Sequence, residues 1–339
     1  MQQQQKNPTP ELIFNLLGAY QQSAVLKGAI DLEVFTAIAE GNTTAGAIAQ
    51  RCKASERGIR ILADYLTVMG LLTKHNHDYG LTADSATFLD SHKPSYIGGA
   101  VRFLMAPDLR QGFDDIAAAV RKGGTATPGK GTVENENPVW VEFARGMAAL
   151  MMPAAQAIPE VLGAGAGAKW KVLDIAAGHG MFGIMLAQKN PNAEVVALDW
   201  PAVLQVAQEN AQKFGVAGRW RKLPGDALTI DYGTGYDVVL VTNFLHHFDP
   251  ATNEGILKKA HAALQPGGRV AVLEFVPNDD RVSPPAPAMF SMVMLAGTPS
   301  GDAYTFPEFQ QMFKNAGFAK VEIHELPGLP EKLMIGSRS

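Results

Sequence analysis

Cysteine occurs once, at Cys52, so no disulfide can form within the chain. No run approaches the roughly 18 uninterrupted apolar residues that a membrane-spanning helix requires. The opening Met-Gln-Gln-Gln-Gln-Lys-Asn-Pro lacks the apolar segment of a secretion signal. A soluble cytoplasmic protein with no membrane partner is the expectation. Excess positive charge is missing as well: 29 Lys+Arg stand against 33 Asp+Glu, a formal charge of −4. Binding to a phosphate backbone depends on Lys and Arg releasing counterions, so nucleic acid is not the expected substrate. High polarity, the mark of a disordered chain, is absent too, because 47% of residues are apolar and only 18% charged. There is enough chain, 339 residues, for two domains with sizeable cores. Beyond the four glutamines there is no low-complexity tract, and there is no internal repeat.

Two compositional breaks divide what remains. Residues 122–138, KGGTATPGKGTVENENP, and 162–168, LGAGAGA, read as loops or linkers. Ahead of them the periodicity is helical, with Ile13, Leu16, Leu17 and Tyr20 on one helix face. Asn42-Thr43-Thr44 suits the cap of a short helix over 45–50, and Ala54-Ser55 the start of a second over 56–69. Leu71 to Lys74 and Tyr79 to Thr82 then read as a small hairpin. Helix, turn, helix, hairpin is the winged-helix pattern, but the second helix offers only Arg57 and Arg60, beside Glu56 and Asp64. Packing or dimerisation is favoured over DNA recognition. The expected division is a winged-helix-like dimerisation domain over 1–100, a helical connector carrying a substrate-lining helix over 101–160, and a cofactor-binding domain over 161–339.

After residue 168 short apolar strands alternate with helices: strands at 171–175, 194–198, 236–242 and 269–274, helices at 181–189, 201–214 and 250–264. This alternation predicts an α/β domain with a mostly parallel sheet covered by helices on both faces and ligands at the C-terminal strand ends. Between the first strand and its helix, Gly178, Gly180 and Gly183 match G-x-G-x-x-G, and Asp199 follows at a distance suited to a ribose hydroxyl. Alone, that match leaves the ligand open. Asp174 at the strand mouth would repel a pyrophosphate and attract a cationic amino-acid end. Asp226, within Gly225-Asp226-Ala227, can accept a hydrogen bond from an adenine amino group. Three carboxylates at successive strand ends suit S-adenosylmethionine (SAM) better than a dinucleotide, while a capping role for each of them remains compatible.

VLDIAAGHG, ALDWP, PGDAL, NFLHHFDP, LQPGGRVAVLEFVP and TFPEFQQMFKNAGF resemble, in order and spacing, the plant-type small-molecule O-methyltransferases, a family that includes acetylserotonin methyltransferase and bacterial secondary-metabolite enzymes. The resemblance covers nearly the whole chain. It implies a Rossmann-like SAM-binding domain behind a dimerisation domain, a homodimer, and methyl transfer to a hydroxyl of a small aromatic metabolite, with no metal. For the cofactor it implies Asp174, Gly178, Gly180, Asp199, Trp200, Asp226, Ala227 and Asn243. It further implies His246 as general base oriented by Glu274, and a substrate wall of Phe143, Met147, Met151, His247, Met289 and Met292. A phenol with a pKa near 10 is only about 0.1% ionised at neutral pH, so a base is worth a large rate factor.

Three positions depart from the family pattern: Ala176 replaces the first loop glycine, His247 replaces an aspartate after the base, and Ala303 replaces a second carboxylate near it. The last of these leaves open an enzyme that uses proximity alone, methylates carbon or nitrogen, or takes an unusually acidic hydroxyl; the rival readings are a carbon methyltransferase on the same scaffold and a non-catalytic winged-helix regulator that senses SAM.

Overall fold

Short polar residues set where the first helices begin. In the computed structural model, which describes residues 8–339, the Thr44 side chain accepts the Ala47 amide and opens Ala45–Cys52. Ser55 accepts the Gly58 amide and opens Glu56–Val68 in the same way. Strands β1 (Leu72–His75) and β2 (Asp78–Leu81) then pair antiparallel, completing the helix, helix, hairpin order expected from the sequence. Phe35, Ile48, Ile59 and Leu66 are buried together in this unit, which ends at Arg102. The helix Glu11–Asp31 adds only its C-terminal part, Ala29 and Ile30, to that core. Its other half keeps Ile13, Leu16, Leu17 and Tyr20 at 63–70% exposure, so the apolar face foreseen there is not used within the unit. The glutamine-rich opening lies outside the described residues. Among the described residues no helix is long and apolar enough to cross a membrane.

The second unit, from Phe103 onward, contains the strands β3 (Lys171–Ile175), β4 (Glu194–Asp199), β5 (Trp220–Pro224), β6 (Tyr236–Thr242), β7 (Leu264–Glu274), β8 (Val321–Glu325) and β9 (Lys332–Ser337). Among the described residues they form one sheet in the order β5-β4-β3-β6-β7-β9-β8. Neighbours from β5 to β7 are parallel, whereas β9 runs antiparallel to both β7 and β8. Central strands read as near-continuous apolar runs because helices cover both faces: Val172, Leu173 and Ile175 of β3 and Val238 to Val241 of β6 are fully buried. The chain winds outward through β4 and β5 and then returns to the other side of β3 with β6. That reversal leaves a crevice beyond the C-terminal ends of β3, β4 and β6, where such sheets take their ligands.

Candidate active site

The loop after β3 is shaped by three left-handed residues, Ala176 (φ 53°), Gly178 (φ 56°) and Gly180 (φ 75°). Alanine at the first of them is held where an L side chain costs about 1–2 kcal/mol relative to glycine. Gly183 lies so close to the sheet that an added Cβ would stand 2.8 Å from Val195 Cγ1 and 2.9 Å from Asp174 Oδ2, so the helix Met181–Lys189 packs hard against the strands.

Asp174 departs from its expected place. Its phase in β3 points it under this helix rather than into the crevice: it is fully buried, and Oδ2 accepts the Gly183 amide at 3.1 Å. Burial, with the Asp199 charge adding, pushes its pKa up to about 7 against the opposing hydrogen bond from Gly183. The carboxyl braces the loop from below and does not line the cavity. Gly180, packed toward Ala207, does not line it either.

An open cavity of about 920 Å³ occupies the crevice. Gly178, Asp199, Trp200, Asp226, Ala227 and Asn243 all form part of its wall. Asp199 Oδ2 accepts the Gly178 amide at 2.8 Å and Oδ1 the Trp200 amide at 2.7 Å. Burial raises its pKa to about 6 despite these two bonds. A carboxylate has about four acceptor sites, so two remain for hydroxyls of a ligand. Asp226 accepts the Leu228 amide through Oδ1 at 2.8 Å. Asn243 follows β6 in the left-handed region (φ 51°), donates its amide to Leu273 O at 2.8 Å, and reaches Met151 Sδ with Nδ2 at 3.6 Å.

The turn Leu245–His247 is tied to the end of β7 by one carboxylate. Glu274 Oε1 accepts the amides of Phe244 (2.9 Å), Leu245 (2.7 Å) and His246 (3.3 Å), and Oε2 accepts His246 Nδ1 at 2.6 Å. With its proton on Nδ1, the His246 ring presents Nε2 as a lone pair, and Nε2 has no hydrogen-bond partner among the described residues. His246 stands behind the cavity wall, between His247 (4.2 Å between ring centroids) and Phe290 (4.8 Å). His247 is in the wall, packed on Trp140 at 5.1 Å. Burial and the neighbouring His246 hold His247 well below the ordinary imidazole pKa, so it is neutral. Ala303 is fully buried and supplies no carboxylate, while Asp302 beside it pairs with Arg281.

The expected substrate residues separate. Phe143 lines the cavity, its ring 5.8 Å from Trp140 and 5.7 Å from His179. Met151 lies behind Asn243 and Met147 is buried, neither reaching the wall. Met289 and Met292 of the helix Pro285–Gly297 face outward, at 66% and 44% exposure, because Phe290 and Met294 take its inner side. They do not join the cavity. Residues 122–138, read as a loop or linker, supply Val133, Glu134 and Asn135 to the wall. This strap is clasped to another loop: the Thr125 amide donates to Thr298 O at 2.8 Å, and Thr132 Oγ1 donates to Gly297 O at 3.1 Å. Trp140 Nε1 donates to Thr132 O at 2.9 Å, so the strap and the next helix hold each other. His179 and Trp140 were further omissions, and a His between two loop glycines was the available signal.

The O-methyltransferase domain model matches residues 140–319, and the O-methyltransferase dimerisation domain model matches 14–91. A 3-hydroxy-5-methyl-1-naphthoate 3-O-methyltransferase of Streptomyces sahachiroi is 29% identical over 92% of this chain and 90% of its own length. A Nostoc punctiforme crystal structure, of a protein with proposed O-methyltransferase activity, is 49% identical with a TM-score of 0.94, covering 98% of this chain and 100% of that one. Human N-acetylserotonin methyltransferase, solved with SAM, shares the fold at 20% identity and a TM-score of 0.85 over the whole of both chains. With a methyltransferase domain spanning more than half its length and the dimerisation domain ahead of it, the chain belongs to the O-methyltransferase family.

Proposed function

We propose that the protein transfers a methyl group from SAM to a hydroxyl of a small aromatic metabolite, with His246 accepting the hydroxyl proton and Glu274 orienting it. The observation that carries the reading is the 2.6 Å bond between His246 Nδ1 and Glu274 Oε2 beside a cavity whose wall includes Asp199 and Asp226. Asp199 retains acceptor sites suited to ribose hydroxyls, and Asp226 with Ala227 suits an adenine. Gly178 lets the backbone approach the remaining end of the ligand. SAM bound there supplies a methyl group already activated on a sulfonium. What this chain contributes is alignment and proton removal. The Glu274 carboxylate stabilises the imidazolium that forms when Nε2 takes the proton. Phe143, His247 and Trp140 line the cavity with inclined aromatic rings suited to an aromatic acceptor. The naphthoate relative acts on a hydroxyl of such a ring system, which supports the same acceptor class here. The relatives matched along most of their length do not favour carbon methylation or cofactor sensing without catalysis; an L-tyrosine C(3)-methyltransferase of Streptomyces lavendulae, 33% identical, is matched over only 41% of its length.

The exposed apolar half of Glu11–Asp31 and the dimerisation match over 14–91 support a homodimer. The central test combines binding with turnover. S-adenosylhomocysteine (SAH) is expected to raise the melting temperature while NAD does not. His246→Ala is expected to lower kcat by about 10²- to 10⁴-fold with the SAH Kd nearly unchanged. Equal turnover in variant and parent would remove His246 as the base.

A further inference from the structure

Three enclosed polar atoms in the cavity wall, His179 Nε2, Asn243 Oδ1 and His247 Nδ1, have no partner among the described residues, and the first two are opposite in character. His179, between the two left-handed glycines, is 1% exposed, with Nδ1 accepting the Met181 amide at 3.1 Å and Nε2 unpaired. Burial lowers its pKa to about 4, so the ring is neutral near pH 7. With Nδ1 engaged as an acceptor, the single ring proton sits on Nε2, which is then a donor only. Asn243 Oδ1 is an enclosed acceptor. The His179 ring is also fixed in place. It stacks on Phe143 with 14° between the planes, leans on Phe182 at 5.5 Å, and its carbonyl accepts Asn210 Nδ2 at 2.9 Å. A rigid, dry donor without an acceptor is costly in a folded protein unless a ligand completes it.

We propose that His179 Nε2–H binds the carboxylate of the amino-acid end of SAM, a side-chain contact added to the backbone cradle of the glycine loop. The inference rests on the cofactor reading above. With the nucleoside at the ends of β4 and β5, the loop after β3 meets the other end of the ligand, which is a zwitterion. An ammonium only donates and cannot pair with Nε2–H, whereas a carboxylate only accepts. The start of Met181–Lys189 favours negative charge at the same place. Asn243 Oδ1 suits the ammonium, so His179 Nε2 and Asn243 Oδ1 together match both charges.

His179→Asn separates this role from a merely structural one. An asparagine oxygen can still accept the Met181 amide, while nothing reaches the position of Nε2. The full-length parent and the variant are titrated calorimetrically with SAH and with its decarboxylated analogue, which keeps the nucleoside, thioether and amine. The parent is expected to prefer SAH, and the variant to bind SAH about 10- to 100-fold more weakly while its affinity for the analogue changes less than twofold. Equal losses on both ligands, no loss on SAH, or a parent preference below twofold would each overturn the assignment. If the parent binds neither compound, the cofactor reading itself falls and takes this inference with it. Binding of both compounds with equal losses leaves that reading standing and removes the His179 contact alone.

Discussion

Glu274 does two jobs with one side chain, because three backbone amides and an imidazole share its two oxygens. Glu274→Gln keeps an acceptor for the amides but offers an N–H toward His246 Nδ1. The ring must then place its proton on Nε2, the atom that should receive one. The expected outcome is a fall in kcat of about 100-fold or more, with a stability loss on the order of 2–4 kcal/mol from the lost charge-assisted bonds. A variant within twofold of the parent in kcat would sink the orienting role. Asp174 makes a different prediction. Its carboxyl titrates near 7 when folded, against 3.8 ordinarily, so the folded state holds the proton more tightly. The stabilisation is complete below pH 3.8 and is lost as pH rises through about 7, amounting to about 4 kcal/mol across that window. Asp174→Asn should therefore flatten the decline of melting temperature between pH 5 and 8, and parallel curves for parent and variant would show that Asp174 does not titrate there. The sequence carried the Gly178, Asp199, Asp226 and His246–Glu274 positions in short motifs at strand ends. It could not carry the direction of Asp174, because a strand buried on both faces has no apolar-polar alternation to reveal its phase. Met289 and Met292 were ambiguous for a related reason: with Phe290 and Met294 also apolar, the inner face of that helix has no polar contrast to mark it.

At the scale of elements, the strap over 122–138 carries the clearest consequence. Gly131 has φ 62°, and an added Cβ would stand 2.2 Å from Gly297 O. Gly131→Ala should therefore unseat the clasp to the 297–299 loop while leaving the distant sheet intact. SAH affinity is expected to fall by about tenfold, with new proteolytic cleavage confined to the strap; unchanged affinity and an unchanged digest would mean that the strap is not a fixed wall of the cavity. Composition could not distinguish these roles, since glycine, proline and threonine mark an irregular segment whether it swings free or is held by its backbone bonds. The parallel strands were legible as compact apolar runs between helices. The hairpin of β8 and β9 was not, because their pairing extends the sheet in an antiparallel sense that the βα alternation gives no reason to expect.

For the whole molecule, the exposed half of Glu11–Asp31 is the expected dimer contact. Leu16 and Leu17 are 68% and 65% exposed, so replacing both with aspartate removes little packing from the protomer. Leu16→Asp/Leu17→Asp should shift the protein from dimer to monomer in sedimentation while its secondary structure is retained, and an unaltered mass would exclude this helix from the interface. Helical periodicity made that apolar face readable, yet it could not say whether the face is buried by its own chain or by another. One further consequence follows from the arrangement at the end of β7. Because a single carboxylate both anchors the turn and aims the imidazole, selection for a sturdier fold and selection for a stronger proton acceptor act on the same two oxygen atoms. Under the proposed role a substitution there would change both properties together, whereas the aromatic neighbours Phe290 and His247 touch the ring alone.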